Sequence, residues 1–209
     1  MNIVFVHGAL GCALDFDACV QSLQKKGFTC HCLELSGHGL SPFAPDFSIE
    51  QFSNELQQKL LAFNPKNTLL FGYSMGGYVI LSYLSKNKKA GFSFMTLATK
   101  WLWTEEIAAK EKTLCSKEFL LEKAPAFYAA LEKKHKQTDT LLTRTAALIE
   151  QLGTAARPDL SGLMMKAKIM RGTLDKLVSE EESLALTALL PNASFESLPE
   201  VKHPLEAMP

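Results

Sequence analysis

Six short apolar runs, spaced along the chain and separated by stretches of helical periodicity, constrain its fold more than any other feature. They are "NIVFV" (residues 2–6), "FTCHCLEL" (28–35), "NTLLFG" (67–72), "GFSFMTLA" (91–98), "AKIMRG" (167–172) and "ASFESL" (193–198). Runs this short, apolar on both alternate sets of positions, suit strands buried on two faces. Between them, Ser48 and Gln51 have the spacing of a capping box, ahead of Ile49, Phe52, Leu56 and Leu60 on one helical face, with Pro65 as the stop. Ser179 and Glu182 repeat that start before Pro191, and Gly27 closes an earlier helix over about 15–26. Strands alternating with amphipathic helices predict an α/β fold: a mostly parallel sheet with right-handed crossovers and helices on both faces.

One interval breaks the alternation. From Trp101 to about Lys166 no strand pattern occurs, and helical patterns run over 104–115, over 117–135 with an interruption at Pro125, and over 139–152 with Leu141, Thr145, Leu148 and Leu152 aligned. The chain of 209 residues is sized for a single domain, 1–209, and residues 101–166 read as an inserted helical cap.

Bulk properties exclude several functions. Lysine plus arginine equals aspartate plus glutamate at 22 each, so no overall field draws nucleic acid or an anionic membrane. Cys12, Cys19, Cys30, Cys32 and Cys115 have neither CxxC nor metal-ligand spacing, which predicts reduced thiols, a cytoplasmic protein and no metal. Cys12 lies in "ALGC", which lacks the basic segment of a lipoprotein leader, and reads as a structural thiol. No apolar run approaches the ~20 residues of a membrane span.

The chemistry concentrates where strands end. In "TLLFGYSMGG" Ser74 sits between a strand and a helix, with Gly72 and Gly76 flanking it at −2 and +2. Glycine there removes side chains from a sharp strand-turn-helix corner, the setting of a nucleophilic serine; the competing role is an ordinary helix N-cap. A serine hydroxyl needs a base, and the base needs an orienting carboxylate. Asp175 follows one strand in "RGTLDKLVS" and His203 follows another in "VKHPLE", although Asp175 also suits a turn cap. His31 lies within a strand, His38 in a glycine loop and His135 in the charged run "EKKHK"; only His7 and His203 lie directly at strand ends, and His203 is the better base. The strand "VFV" delivers "HGALG" to the same rim, so the backbone amides of Ala9 and Met75 are the expected oxyanion donors, with Leu10 the adjacent alternative and His7 ordering the loop. Leu10, Trp101 and Trp103 are candidate pocket residues. Phe119, Phe127 and Tyr128 share that prospect with simple packing, and Lys100 reads as solvent-facing.

Taken together, "VFVHGALG", "ELSGHGLSP", "FGYSMGG", "RGTLDKLVS" and "VKHPLE" resemble, in order and over nearly the whole chain, a small serine hydrolase of the α/β-hydrolase fold superfamily with a helical cap. That resemblance implies Ser74 as nucleophile, Asp175 as triad acid and His203 as general base and acid. It implies hydrolysis of a small or medium carboxylic ester or thioester, no cofactor, and a small-molecule acyl substrate as partner for a monomer or homodimer. The same fold also serves carbon–carbon lyases of the menaquinone-pathway synthase type and non-catalytic ligand-binding proteins, and both stay open as alternatives. The chain begins directly at the strand leading to "HG" and ends at Pro209, where relatives usually continue into a helix on the sheet; the expectation is a minimal or truncated member.

Overall fold

The computed structural model describes residues 1–203; the chain end at Pro209 and the last three residues of "VKHPLE" lie outside the described residues. Its sheet has six strands, β1 (Asn2–Val6), β2 (Thr29–Leu33), β3 (Thr68–Tyr73), β4 (Ser93–Leu97), β5 (Ala167–Gly172) and β6 (Ala193–Leu198), all paired in parallel in the order β2-β1-β3-β4-β5-β6. The crossover helices are α1 (Asp17–Lys25), α2 (Ile49–Leu60) and α3 (Met75–Lys86), and α8 (Glu180–Ala188) joins β5 to β6. Between β4 and β5 stand α4 (Glu105–Thr113), α5 (Lys117–Lys123), α6 (Pro125–Lys134) and α7 (Thr138–Thr154), in the interval where the sequence carries no strand pattern.

The period of two along β1 sorts its side chains onto two cores. Val4 and Val6 pack with Phe52 and Leu56 of α2 and Ile80 and Leu84 of α3. Ile3 and Phe5 pack with Phe16, Val20 and Leu23 around α1. On the α1 face Leu69, Phe71 and Met95 remain half-buried. The Ser48 hydroxyl accepts from the Gln51 N–H at 3.1 Å and the Ser179 hydroxyl from the Glu182 N–H at 3.1 Å, so both helices start where their capping residues stand. Leu141, Thr145, Leu148 and Leu152 of α7 are buried along one stripe, and Pro125 separates α5 from α6 as the first residue of the latter.

Strand order reverses at β1, which lies between β2 and β3. At such a switch point the loops leaving neighbouring strands diverge and open a crevice beyond their carboxyl ends. The register Val6↔Gly72 brings the loop after β1 and the turn after β3 to that crevice side by side.

Candidate active site

The corner after β3 is built by missing side chains. A Cβ on Gly72 would come within 2.5 Å of the Gly77 backbone, and one on Gly76 would overlap the Val6 carbonyl oxygen, so α3 can pass this close to the sheet only with glycine at both places. Between them Ser74 adopts φ 50° and ψ −119°, a region that costs an L-residue of order 1–3 kcal/mol. The surroundings hold it: the Ser74 N–H donates to the Leu97 carbonyl at 2.8 Å, and the Thr99 hydroxyl donates to the Ser74 carbonyl at 3.1 Å. The strained turn lifts the hydroxyl out of the sheet toward the crevice.

His203 and Asp175 meet Ser74 there. Ser74 Oγ lies 3.2 Å from His203 Nε2, and His203 Nδ1 lies 2.9 Å from Asp175 Oδ2. A carboxylate can only accept, so Nδ1 carries the ring proton and the Nε2 lone pair faces the serine. Asp175 Oδ1 accepts the N–H groups of Leu177 at 2.8 Å and Val178 at 3.0 Å. Burial alone would push its carboxyl up; the His203 hydrogen bond and these amides hold it below the ordinary carboxylate value. Arg171, buried in β5, donates to the Val178 carbonyl at 3.1 Å and the Asp175 carbonyl at 3.2 Å, fixing the loop that carries the acid. Tyr73 holds the base from the other side, its hydroxyl donating to the His203 carbonyl at 2.5 Å.

The backbone N–H groups of Ala9, Leu10 and Met75 donate to no partner among the described residues, and all three residues line the same cavity as Ser74 and His203. Two sets of amides, one from each side of the switch point, are thus available to an oxygen beside Ser74. Leu10 sits at φ 57°, in a turn closed by the Gly11 N–H on the Gly8 carbonyl at 3.1 Å.

The cavity, about 310 Å³, extends from Ser74 into the helical interval. Trp103, Leu114, Phe127, Leu148 and Leu152 give it apolar walls, with Ile49, Met75 and Tyr78 opposite. Trp101, a sequence candidate for this pocket, is instead packed in the core, its ring 5.8 Å from that of Tyr78. It is held inward beside the buried Glu182 carboxylate, to which the Trp101 N–H donates at 2.5 Å. Phe119 and Tyr128 pack in a separate cluster with Leu120 and Leu131. Lys100 is not solvent-facing: it lines the cavity, donates to the Leu177 carbonyl at 2.7 Å and pairs with Glu182 at 3.7 Å. Lys134, also in the wall, pairs with Asp15 at 2.6 Å. Cys12 is buried, and burial pushes its thiol up, away from reactivity. No group of side chains among the described residues has the makings of a metal site.

Three histidines surround the loop after β1: His7, expected from the sequence to order it, and His38 and His135, which the sequence sets aside. His7 is fully buried, its Nδ1–H donating to the Gly8 carbonyl at 2.9 Å and its Nε2 accepting the Leu35 N–H at 3.2 Å. The His38 ring lies 4.7 Å from that of His7 and 6.2 Å from that of His135, and both are buried. Burial lowers all three, His7 from 6.5 to about 4 and His38 well below the usual value. An unfolded chain binds protons at these positions below pH ~6.5 while the folded chain refuses them, so stability is full above that pH and falls as the medium is acidified toward pH 4. His7 alone contributes about 3 kcal/mol to that loss. Urea unfolding at pH 7 and pH 4.5 is expected to show the decline; equal stabilities would contradict neutral burial of these rings.

The sequence model of the alpha/beta hydrolase fold family matches residues 2–108. The sn-1-specific diacylglycerol lipase of Mus musculus is 36% identical over 76 residues, 36% of this chain and 25% of that protein. A Haemophilus influenzae protein bearing the name of a 2-succinyl-6-hydroxy-2,4-cyclohexadiene-1-carboxylate synthase is 33% identical over 87 residues, 40% of this chain and 33% of that protein. The matched stretches therefore span a quarter to a third of these curated relatives. Among solved structures, the enol-lactonase of Burkholderia xenovorans LB400 superposes with a TM-score of 0.74 at 18% identity, covering 97% of this chain and 84% of its own.

Proposed function

Because this chain belongs to the alpha/beta hydrolase fold family, we propose that it is a serine hydrolase that cleaves small or medium carboxylic esters, or thioesters, through an acyl-enzyme on Ser74. One observation carries the reading: an unbroken relay from Ser74 through His203 to Asp175, ending beside open backbone amides. His203 Nε2 takes the hydroxyl proton as Ser74 Oγ bonds the substrate carbonyl carbon. The oxygen that becomes negative is met by the N–H groups of Ala9 and Met75, with Leu10 adjacent. Collapse of the tetrahedral adduct expels the alcohol or thiol, protonated by His203, and the same histidine then draws a proton from the water that releases the acid.

The cavity indicates the kind of acyl group. Its walls are apolar, and the cations on it, Lys100 and Lys134, each have a carboxylate partner. A carboxylate on the substrate would have to displace one of these partners or stay unpaired, and either costs binding energy. This favours uncharged acyl groups and counts against the lyase alternative, whose substrate carries several negative charges, even though one relative bears the synthase name. A lipase and an enol-lactonase among the similar proteins agree with ester chemistry. The intact relay counts against a binding protein without turnover. Residues 101–166 serve in this account as the cap that shapes substrate choice. A cytoplasmic setting belongs to the same proposal and is supported by five unpaired cysteines; among the described residues no helix is long and apolar enough to cross a membrane.

The test is turnover of nitrophenyl esters, comparing neutral acyl chains of increasing length with one of matched length ending in a carboxylate. The neutral series is expected to have the higher kcat/KM by at least about 10-fold, the scale of one unpaired polar group in a pocket. A preference for the anionic ester, or no ester turnover at all, would contradict the reading.

A further inference from the structure

We propose that His135, at the end of α6, is a positioning residue for the loop after β1, so that the helical interval over Ser74 sets the aim of the oxyanion amides. The inference rests on the serine-hydrolase reading above. The ring of His135 bridges two backbone groups from different parts of the chain. Its Nδ1 accepts the Gly39 N–H at 2.8 Å, and its Nε2 lies 2.9 Å from the Leu10 carbonyl oxygen. An amide N–H can only donate, so Nδ1 is the acceptor, the single proton of the neutral ring sits on Nε2, and the tautomer is fixed with its donor on Leu10.

That carbonyl belongs to a residue that needs holding. Leu10 stands at φ 57°, where a residue with a Cβ is less stable by roughly 1–2 kcal/mol than at negative φ. Relaxing it would turn over the peptide between Ala9 and Leu10, re-aiming the Leu10 N–H and displacing the adjoining Ala9 N–H proposed to receive the oxyanion. The turn bond from Gly11 to Gly8 braces one side of Leu10, and His135 braces the other. The neighbours of His135 clasp the same region: the Lys136 N–H donates to the Gly39 carbonyl at 2.9 Å, and the Lys134 ammonium pairs with Asp15, whose carboxylate accepts the Cys12 N–H at 2.9 Å. At the C-terminal end of α6, Lys134 and His135 therefore hold the loop from Leu10 to Asp15 and His135 and Lys136 hold Gly39, while Phe127 near the other end of α6 lines the cavity. Occupancy of the cavity and geometry of the amides are joined through one helix.

Two substitutions separate positioning from mere packing. In His135→Gln the amide oxygen accepts from Gly39 and the amide nitrogen donates to Leu10, so both bonds survive. In His135→Asn the side chain keeps Gly39 but is too short to reach Leu10. The readouts are kcat and KM on a neutral nitrophenyl ester and the rate of Ser74 modification by a fluorophosphonate, whose phosphoryl oxygen requires the same amides. His135→Asn is expected to lower kcat and the labelling rate about 10- to 100-fold, short of the ~10²–10³ for outright loss of a donor, with KM within about 3-fold. His135→Gln is expected to recover to within about 5-fold of wild type. If His135→Asn does not fold, His135→Phe, which keeps the ring volume and loses both bonds, is read in the same way. A folded Asn or Phe variant at wild-type rates, or a Gln variant as slow as Asn, would overturn the inference while leaving a reactive wild type intact. A wild type that neither labels nor turns over would remove the serine-hydrolase reading itself.

Discussion

Ser74→Ala is expected to lower ester turnover by roughly 10⁴- to 10⁶-fold, because nucleophile and base act as one unit and no second hydroxyl stands in the relay. The residual rate comes from the amides and the cavity, which still bind and polarise the ester for attack by water. Stability should change by less than about 1 kcal/mol. Alanine tolerates φ 50° no better than serine does, and the bonds that fix this backbone, Ser74 N–H to Leu97 and the Thr99 hydroxyl to the Ser74 carbonyl, do not involve the lost oxygen. Adding His203→Ala to that variant should reduce the rate little further, since the base has nothing left to deprotonate. Steady-state turnover and a thermal melt on the same preparations check both halves. Turnover within about 10-fold of wild type would remove Ser74 from the mechanism.

Asp175→Asn tests the orienting acid. The carboxamide oxygen can still accept from Leu177 and Val178, so the loop keeps its shape. Its NH₂ then faces His203 Nδ1, which must accept, and the ring proton moves to Nε2, which donates to Ser74 Oγ and has no lone pair left to take the hydroxyl proton. Geometry survives while the tautomer is wrong, and kcat should fall by about 10⁴-fold. Wild-type Asp175, held below the ordinary carboxylate value, stays ionised through the neutral range, so the comparison with asparagine reads loss of a charged acceptor at any pH near 7. Retention of a tenth or more of wild-type kcat would assign Asp175 to the turn alone.

Local physics made much of this legible in the sequence. Gly72, Ser74 and Gly76 declare the corner because their spacing is local, and at Gly72 the exclusion acts within five residues, although Gly76 is held to glycine by the distant Val6 carbonyl. Ser48 and Ser179 mark helix starts because a cap bond reaches only three residues ahead. The stripe from Leu141 to Leu152 follows from helical period against a buried face. What stayed hidden depends on partners far along the chain. Trp101 and Trp103 are two positions apart and equally aromatic, yet only Trp103 reaches the cavity, because a carboxylate 80 residues away at Glu182 binds the adjoining Leu102 N–H as well as that of Trp101. The run "EKKHK" has the composition of a solvated helix end; His135 is buried because Gly39 and Leu10 offer it a donor and an acceptor. Arg171 reads as the last turn of a strand, and its grip on the Asp175 loop appears only once β5 and that loop are folded together.

The most direct test of the central claim is covalent labelling with a fluorophosphonate, read by intact mass and peptide mapping on wild type beside Ser74→Ala. The account predicts a single adduct on Ser74 in wild type and none in the variant, since only a serine with its proton accepted by His203 and its product oxygen held by backbone amides reacts at a useful rate. Folded wild-type protein that takes up no label, or an adduct that persists when Ser74 is replaced, would contradict it.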